Sequence, residues 1–434
     1  MKLSIRLVVV GIAVLPVGLT GCGLDQHPTY PKALKYPQRR DPIVIGPAAK
    51  LGDERYDPDR PGVFPIMSYD DIYKPDNPLF AKSKELNDTI LRDPTKISDK
   101  DRKDVDAALD AAFGTPAEPK IDAKATGIEQ ETLDALKLDE KTIAKGSTRY
   151  RVHCIHCHGL PGDGRGPTAR WVNPHPRDFR YGIFKFQSVD QATDGRQRPP
   201  ARADFLRTVR TGLEGTAMPS FALLQDDELE ALVSYVMYLS TRGRTESDVI
   251  KAFFNFDAKA GTLVWNAAPD ADEPVTPAQA VGLFAKKFVT EGWLESNSPT
   301  KAIKVGAYPY KDGDIEELKK SVERGKHLFN GDEKKHPRGK SANCVSCHVD
   351  YGRQARFRFD DWATLARPNN FSAGVFRGGR RPVDMYYRIH SGINGSGMTP
   401  FGKVLQPDDI WDLINFVSNM SYPAMRERLA MNVD

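Results

Sequence analysis

Apolar residues recur at helical spacing in two stretches far apart in the chain: Leu229, Leu232, Val233 and Val236, then Ile410, Leu413, Ile414 and Val417. Such spacing draws one apolar stripe along a helix and predicts helices over 226–239 and 407–420. Both open on acidic residues (Asp226, Asp227 and Glu228; Asp408 and Asp409), which suit the positive end of the helix dipole. A third helix is expected over 98–113, capped by Ser98, with Asp101 in its first turn and Gly114 as its stop. Shorter helices are expected over 129–138 and 277–290. Elsewhere the pattern fails. Residues 23–97 are rich in Pro, Asp, Lys and Tyr and hold no sustained period, and residues 246–315 mix Pro and Gly with isolated aromatics such as Trp265 and Trp293. The expectation is a mainly α fold with two compact units, 140–245 and 316–425. An irregular Pro-rich tether with short helices (22–139) precedes them, an inter-domain segment (246–315) separates them, and a C-terminal tail (426–434) follows. As a free coil, the ~75 residues from 23 to 97 would span about 50 Å.

The two units read as copies. Residues 176–185 (PRDFRYGIFK) align with 368–377 (PNNFSAGVFR), and 212–218 (GLEGTAM) align with 392–398 (GINGSGM), in the same order. Internal duplication implies one site per copy.

The N-terminus reads as a targeting segment. Lys2 and Arg6 precede an apolar run, Leu7 to Leu19, too short to span a bilayer as a mature helix. Leu19-Thr20-Gly21-Cys22 resembles a bacterial lipobox. That resemblance implies a signal peptide over 1–21, cleavage before Cys22 and diacylation of its thiol. It places the protein in the cell envelope, lipid-anchored to a membrane and facing the periplasm. The formal charge is +4. Loss of Lys2 and Arg6 with the signal peptide leaves +2, which argues against nucleic-acid binding.

Of five cysteines, Cys22 takes the lipid and the rest form two pairs. In an exported protein each pair is open to reading as a disulfide, but a histidine follows each at once. Cys154-Ile155-His156-Cys157-His158 and Cys344-Val345-Ser346-Cys347-His348 are both C-x-x-C-H, the signature of c-type heme attachment. Two thiols three positions apart reach the two vinyl groups on one edge of the macrocycle, and the next imidazole then lies beneath the iron. Two hemes add four propionates, so the mature holoprotein is expected to be mildly acidic.

With these motifs the chain resembles the class I cytochromes c, in two blocks covering roughly half its length. The resemblance implies two tandem class I cytochrome c domains. In that family a helix bearing Gly and an aromatic precedes the heme motif, matched here by Gly146 and Tyr150 and by Gly325 and Phe329. An aromatic-bearing helix closes the domain, matched by Tyr235 and Tyr238 and by Trp411 and Phe416. The family's sixth iron ligand is a loop methionine. Met218, in Gly215-Thr216-Ala217-Met218-Pro219, fits that position. Met398 fits too, although Thr399 interrupts the usual Met-Pro. The resemblance thus implies two covalently bound heme c groups, held by Cys154 and Cys157 and by Cys344 and Cys347. Their irons are ligated by His158 and Met218 and by His348 and Met398. His390, just before the second methionine loop, is the alternative ligand there.

Several other residues bear on the reading. His156 is expected to face solvent. His153, His175, His327 and His336 are read as surface or core residues. In the second copy 14 residues, Asn330 to Asn343, separate Phe329 from Cys344, against three between Tyr150 and Cys154, and they include Lys334, Lys335, His336, Arg338 and Lys340. They are expected to form a solvated loop or to dock an acidic partner. Arg177, Arg377, Arg380 and Arg381 are candidates to pair with propionates.

The function expected is outer-sphere, one-electron transfer rather than enzyme catalysis, because both axial positions of each iron are filled. The first unit is similar to the lipoprotein cytochrome subunits of alternative complex III and of heme-copper oxidase clusters. That similarity implies redox partners such as a quinol-oxidising complex, a terminal oxidase or a dehydrogenase. The alternatives are a diheme cytochrome c peroxidase-like enzyme and the heme subunit of a membrane-associated dehydrogenase.

Overall fold

The computed structural model describes residues 29–41, 43–44, 91–192, 197–257, 259–267, 274–356, 358–362 and 365–433. Cys22, the signal peptide and most of 42–90 lie outside the described residues.

Two crossed helix pairs organise the chain. In the first unit α2 (Glu140–His153) crosses α4 (Asp226–Phe253). Asp139 caps α2, its carboxylate accepting from the Thr142 N–H at 3.0 Å. The crossing is close because Gly146 has no side chain: a Cβ there would overlap the Ala231 carbonyl and press on Tyr235. In the second unit α6 (Ile315–Asn330) crosses α8 (Pro407–Asn419). Gly325 meets the Asp412 carbonyl and Phe416 in the same way. The duplication read from the sequence is therefore a duplication of helix geometry. Shorter helices, α3 (Arg202–Thr211) and α7 (Pro382–Ser391), precede the two methionine loops.

The closing helix of the first unit does not stop near Leu239 as its apolar spacing suggested. It runs on to Phe253 through a polar stretch, and Ser240, Thr241, Arg242, Thr245, Glu246 and Ser247 are all buried. Neighbouring segments supply partners for several of them. Arg102 on α1 (Asp99–Phe113) donates to Glu246 at 2.6 Å, and the Trp293 indole N–H donates to Thr241 Oγ1 at 2.9 Å. Polar residues sit in a helix interior when their hydrogen bonds are met there.

The same contacts correct the tether and inter-domain expectations. Tyr36, Ile43, Val105, Leu109 and Phe113 belong to one core with Tyr235 and Tyr238. The Tyr36 hydroxyl lies 3.1 Å from that of Tyr235, and the Arg39 guanidinium sits over the Tyr181 ring at 4.9 Å. Residues 29–41 and 91–139 are thus part of the first unit, not a free coil. Much of 246–315 belongs to it as well. The hairpin Phe254–Asp257/Thr262–Trp265 and the helix α5 (Pro277–Lys287) pack there, with Phe253 stacked on Trp265 at 5.1 Å. The C-terminal tail is not loose either. Leu429, Met431 and Val433 are buried in the second core, and Lys326 Nζ donates to the Met431 carbonyl at 2.9 Å.

A polar clamp joins the two units. Asn394 donates to Gln187 Oε1 at 2.8 Å and to the Arg198 carbonyl at 2.9 Å, and accepts from Gln191 Nε2 at 2.6 Å. Nearby, the Trp362 indole donates to the Asp178 carbonyl at 3.2 Å. Among the described residues, no helix is long and apolar enough to cross a membrane.

Candidate heme-binding sites

α2 ends at the first motif. The Cys154 N–H closes the helix on the Tyr150 carbonyl at 2.9 Å, and a short helical turn, Ile155–His158, carries the chain onward. None of the four motif cysteines is tied up in a disulfide, so each sulfur is available for a thioether.

The His158 Nδ1 lies 3.0 Å from the Arg177 carbonyl. A carbonyl only accepts, so Nδ1 carries the proton and Nε2 keeps its lone pair toward the cavity. Burial draws the His158 pKa down to about 4, keeping the ring neutral, and Phe179 stacks on it with centroids 4.5 Å apart. The second unit repeats the carbonyl contact and the ring stacking. His348 Nδ1 lies 3.0 Å from the Asn369 carbonyl, and Phe371 stacks on the ring at 4.7 Å. Arg177 and Asn369 occupy equivalent positions in the two copies. The backbone there does the orienting, which is why their side chains can differ.

One cavity in the first unit brings together Cys154, Cys157, His158 and Met218 between apolar walls that include Phe184, Phe205, Leu232 and Val236. Met218 is presented by a loop pinned in two places. Its N–H donates to Thr216 Oγ1 at 3.1 Å, and its carbonyl accepts from the Leu213 N–H at 3.2 Å. The loop of Met398 has the same pins, to Ser396 Oγ at 3.4 Å and from the Ile393 N–H at 3.0 Å. Donor set and walls suit a flat, largely apolar macrocycle with two reactive vinyl groups on one edge.

Residues 141–236 match the family described as cytochrome c oxidase, cbb3-type, subunit III, and residues 322–421 match that described as cytochrome c. The chain carries two cytochrome c domains in tandem. These domains bring two covalently bound heme c groups and make the chain an electron-transfer heme protein. No curated protein matches it. Among solved structures, a chain of the Kuenenia stuttgartiensis reducing HAO-like protein complex Kustc0457/Kustc0458 is 21% identical, with a TM-score of 0.44 over 64% of this chain and 95% of that one.

The remaining candidates fall into place around the cytochrome domains. His156 is exposed, as expected. His390 turns away toward the first domain: its Nδ1 lies 3.3 Å from Asp190 Oδ1, and its ring stacks on Tyr386. His336 was expected on a solvated or docking loop, yet its side chain is fully buried, 3.5 Å from Asp409. Arg338 pairs with the same carboxylate, so two members of the inserted loop fasten it to α8. His336, Asp409 and Asp412 lie close enough to suggest a cation site. Arg338 and Arg324 already neutralise the two carboxylates. Arg380 pairs with Glu214 at 2.8 Å and Arg381 with Asp384 at 2.8 Å.

Sequence reading missed that the second domain reaches the first domain's cavity. Asp360, Ala366 and Arg377 are part of its lining. The aligned pair Lys185 and Arg377 was the available signal, since both positions meet at one rim.

Proposed function

We propose that this protein is a membrane-tethered diheme carrier that passes single electrons between respiratory-chain partners in the cell envelope. Cys154 and Cys157, and Cys344 and Cys347, form the thioethers. His158 and Met218 ligate the first iron, and His348 and Met398 the second. The observation that carries the reading is the shared cavity, with an oriented neutral imidazole and a pinned methionine between the walls of one apolar slot. Heme iron with a thioether ligand cycles between ferric and ferrous and favours the reduced form. The polypeptide holds the macrocycle, fixes both ligands and keeps water away.

Mass spectrometry of the mature protein should find two added macrocycles. Met218→Ala and Met398→Ala should each remove about half of the weak red sulfur-to-iron band of the ferric protein and lower one midpoint potential. An unchanged spectrum in either variant would remove that methionine from the ligand set.

Cys22 is proposed as the lipid-bearing residue, on the strength of the Leu19-Thr20-Gly21-Cys22 segment. Cys22→Ser should move the protein from the membrane to the soluble envelope fraction. Retention on membranes after a high-salt wash would show that something other than lipid holds it. The similarity of the first unit to lipoprotein cytochrome subunits, together with its match to an oxidase subunit family, favours a place between quinol oxidation and a terminal oxidase. Co-purification from solubilised membranes tests that place.

A further inference from the structure

The cations at the rim of the first cavity are not all its own. Arg177 and Lys185 come from the first domain, and Arg377 from the second. Arg177 lies over the Trp362 ring, 3.4 Å from its centroid, and 3.9 Å from Asp360. Lys185 donates to Asp360 at 3.0 Å. Arg377 has no ion-pair partner among the described residues, and burial alone presses its pKa down. The other lining carboxylate, Asp204, is already satisfied by the N–H and hydroxyl of Ser188, the Ala201 N–H and Arg207. Asp361, next to Asp360, accepts from Gln197 and is not part of the lining. Asp360 and Asp361 thus offset Arg177 and Lys185, and Arg377 is left as the cation at this cavity with no counter-charge among the described residues, suited to one propionate of a heme.

The backbone fixes Arg377 in this position. Its carbonyl accepts from Arg388 at 3.0 Å. Its side-chain stem lies beside Gly215 of the Met218 loop, where an added Cβ would sit 3.5 Å from Arg377 Cγ. The next residue, Gly378, packs on the Phe186 ring. The second domain is therefore interlocked with the first at the cavity mouth.

We propose that Arg377 of the second domain pairs with a propionate of the heme held by the first domain, so that docking of the second domain sets the first heme's potential. The proposal rests on the cavity being a heme site. A fixed positive charge stabilises the reduced heme, which carries one positive charge fewer than the oxidised form. Removing it should favour the oxidised form.

The test is a redox titration of the full-length holoprotein, with the first heme identified as the one whose potential moves in Met218→Ala. Arg377→Gln should lower that heme's equilibrium constant for reduction on the order of tenfold, the size of a unit charge acting across roughly 10 Å at an effective dielectric constant of about 20. The second heme should hold its value, and Arg377→Lys should stay near the parent. Arg377→Met keeps the bulk of the stem and repeats the measurement if the glutamine variant misfolds. A shift confined to the second heme, or no shift at all, overturns the proposal. Loss of a covalent heme from the parent protein's mass would instead strike the heme reading beneath it.

Discussion

Gly146→Val should unfold the first cytochrome domain and leave the second intact. α2 and α4 meet backbone to side chain at this position, and any Cβ runs into the Ala231 carbonyl and the Tyr235 stem. A flexible neighbour can yield to overpacking at a cost of about 1–3 kcal/mol. A helix carbonyl cannot move without breaking its own ladder, so the cost here should reach on the order of 4 kcal/mol or more. Gly325→Val should do the same to the second domain through the Asp412 carbonyl and Phe416. Thermal unfolding followed at the heme absorbance, together with a heme count by mass, reads both. Each variant should lose one thermal transition or one heme. Parent-like unfolding of Gly146→Val would mean that the helices do not cross there.

Glu246→Ala should destabilise the first domain by about 3–5 kcal/mol, the usual cost of orphaning a buried charge. Burial raises the pKa of this carboxyl, but Arg102, Arg242 and Arg39 overcome burial and hold it at about 2, below the ordinary 4.5. A carboxyl depressed in the folded state adds stability above its unfolded pKa and loses it as pH falls toward the folded one. The loss should therefore fall between about pH 4.5 and pH 2, and is worth about 3 kcal/mol. Denaturant unfolding at pH 7 and through this acid window gives both numbers. Glu246→Gln should flatten the acid limb, and a parent-like limb in that variant would show that the carboxylate carries no such load.

What the sequence disclosed and what it hid divide along physical lines. Gly146 and Gly325 were legible through the family resemblance, since each stands four positions before an aromatic, Tyr150 or Phe329, on the helix that precedes a heme motif. The α8 helix was legible because Ile410, Leu413, Ile414 and Val417 keep helical spacing along one buried face. The second half of α4 was not. Ser240 to Ser247 is polar, and its burial depends on Arg39, Arg102 and Trp293, none of which is near it in sequence. Tyr36 and Arg39 went unseen for the same reason, since a segment without periodicity gives no sign of the aromatic and carboxylate partners waiting on a distant helix. His336 looked like part of a charged surface run until Asp409 supplied a reason to bury it. At the cofactor sites, the cysteines and histidines were readable from spacing alone. Arg377 was legible as a propionate candidate, but its place at the other domain's cavity required knowing how two domains dock, and that is written in pairs such as Asn394 with Gln187 rather than in any motif.

The packing of the chain from Tyr30 onward would set the length of the leash that a lipid on Cys22 would provide. Tyr30 already lies under the Arg151 guanidinium, 4.4 Å from its charge centre, and Arg151 sits on the helix that ends at the first motif. Only eight positions separate Cys22 from Tyr30, an extended reach of about 28 Å. Were Cys22 lipidated as proposed, the first heme would ride within a few nanometres of the bilayer surface, and partners that rise far above the lipid would have to bring their own redox centres down to meet it.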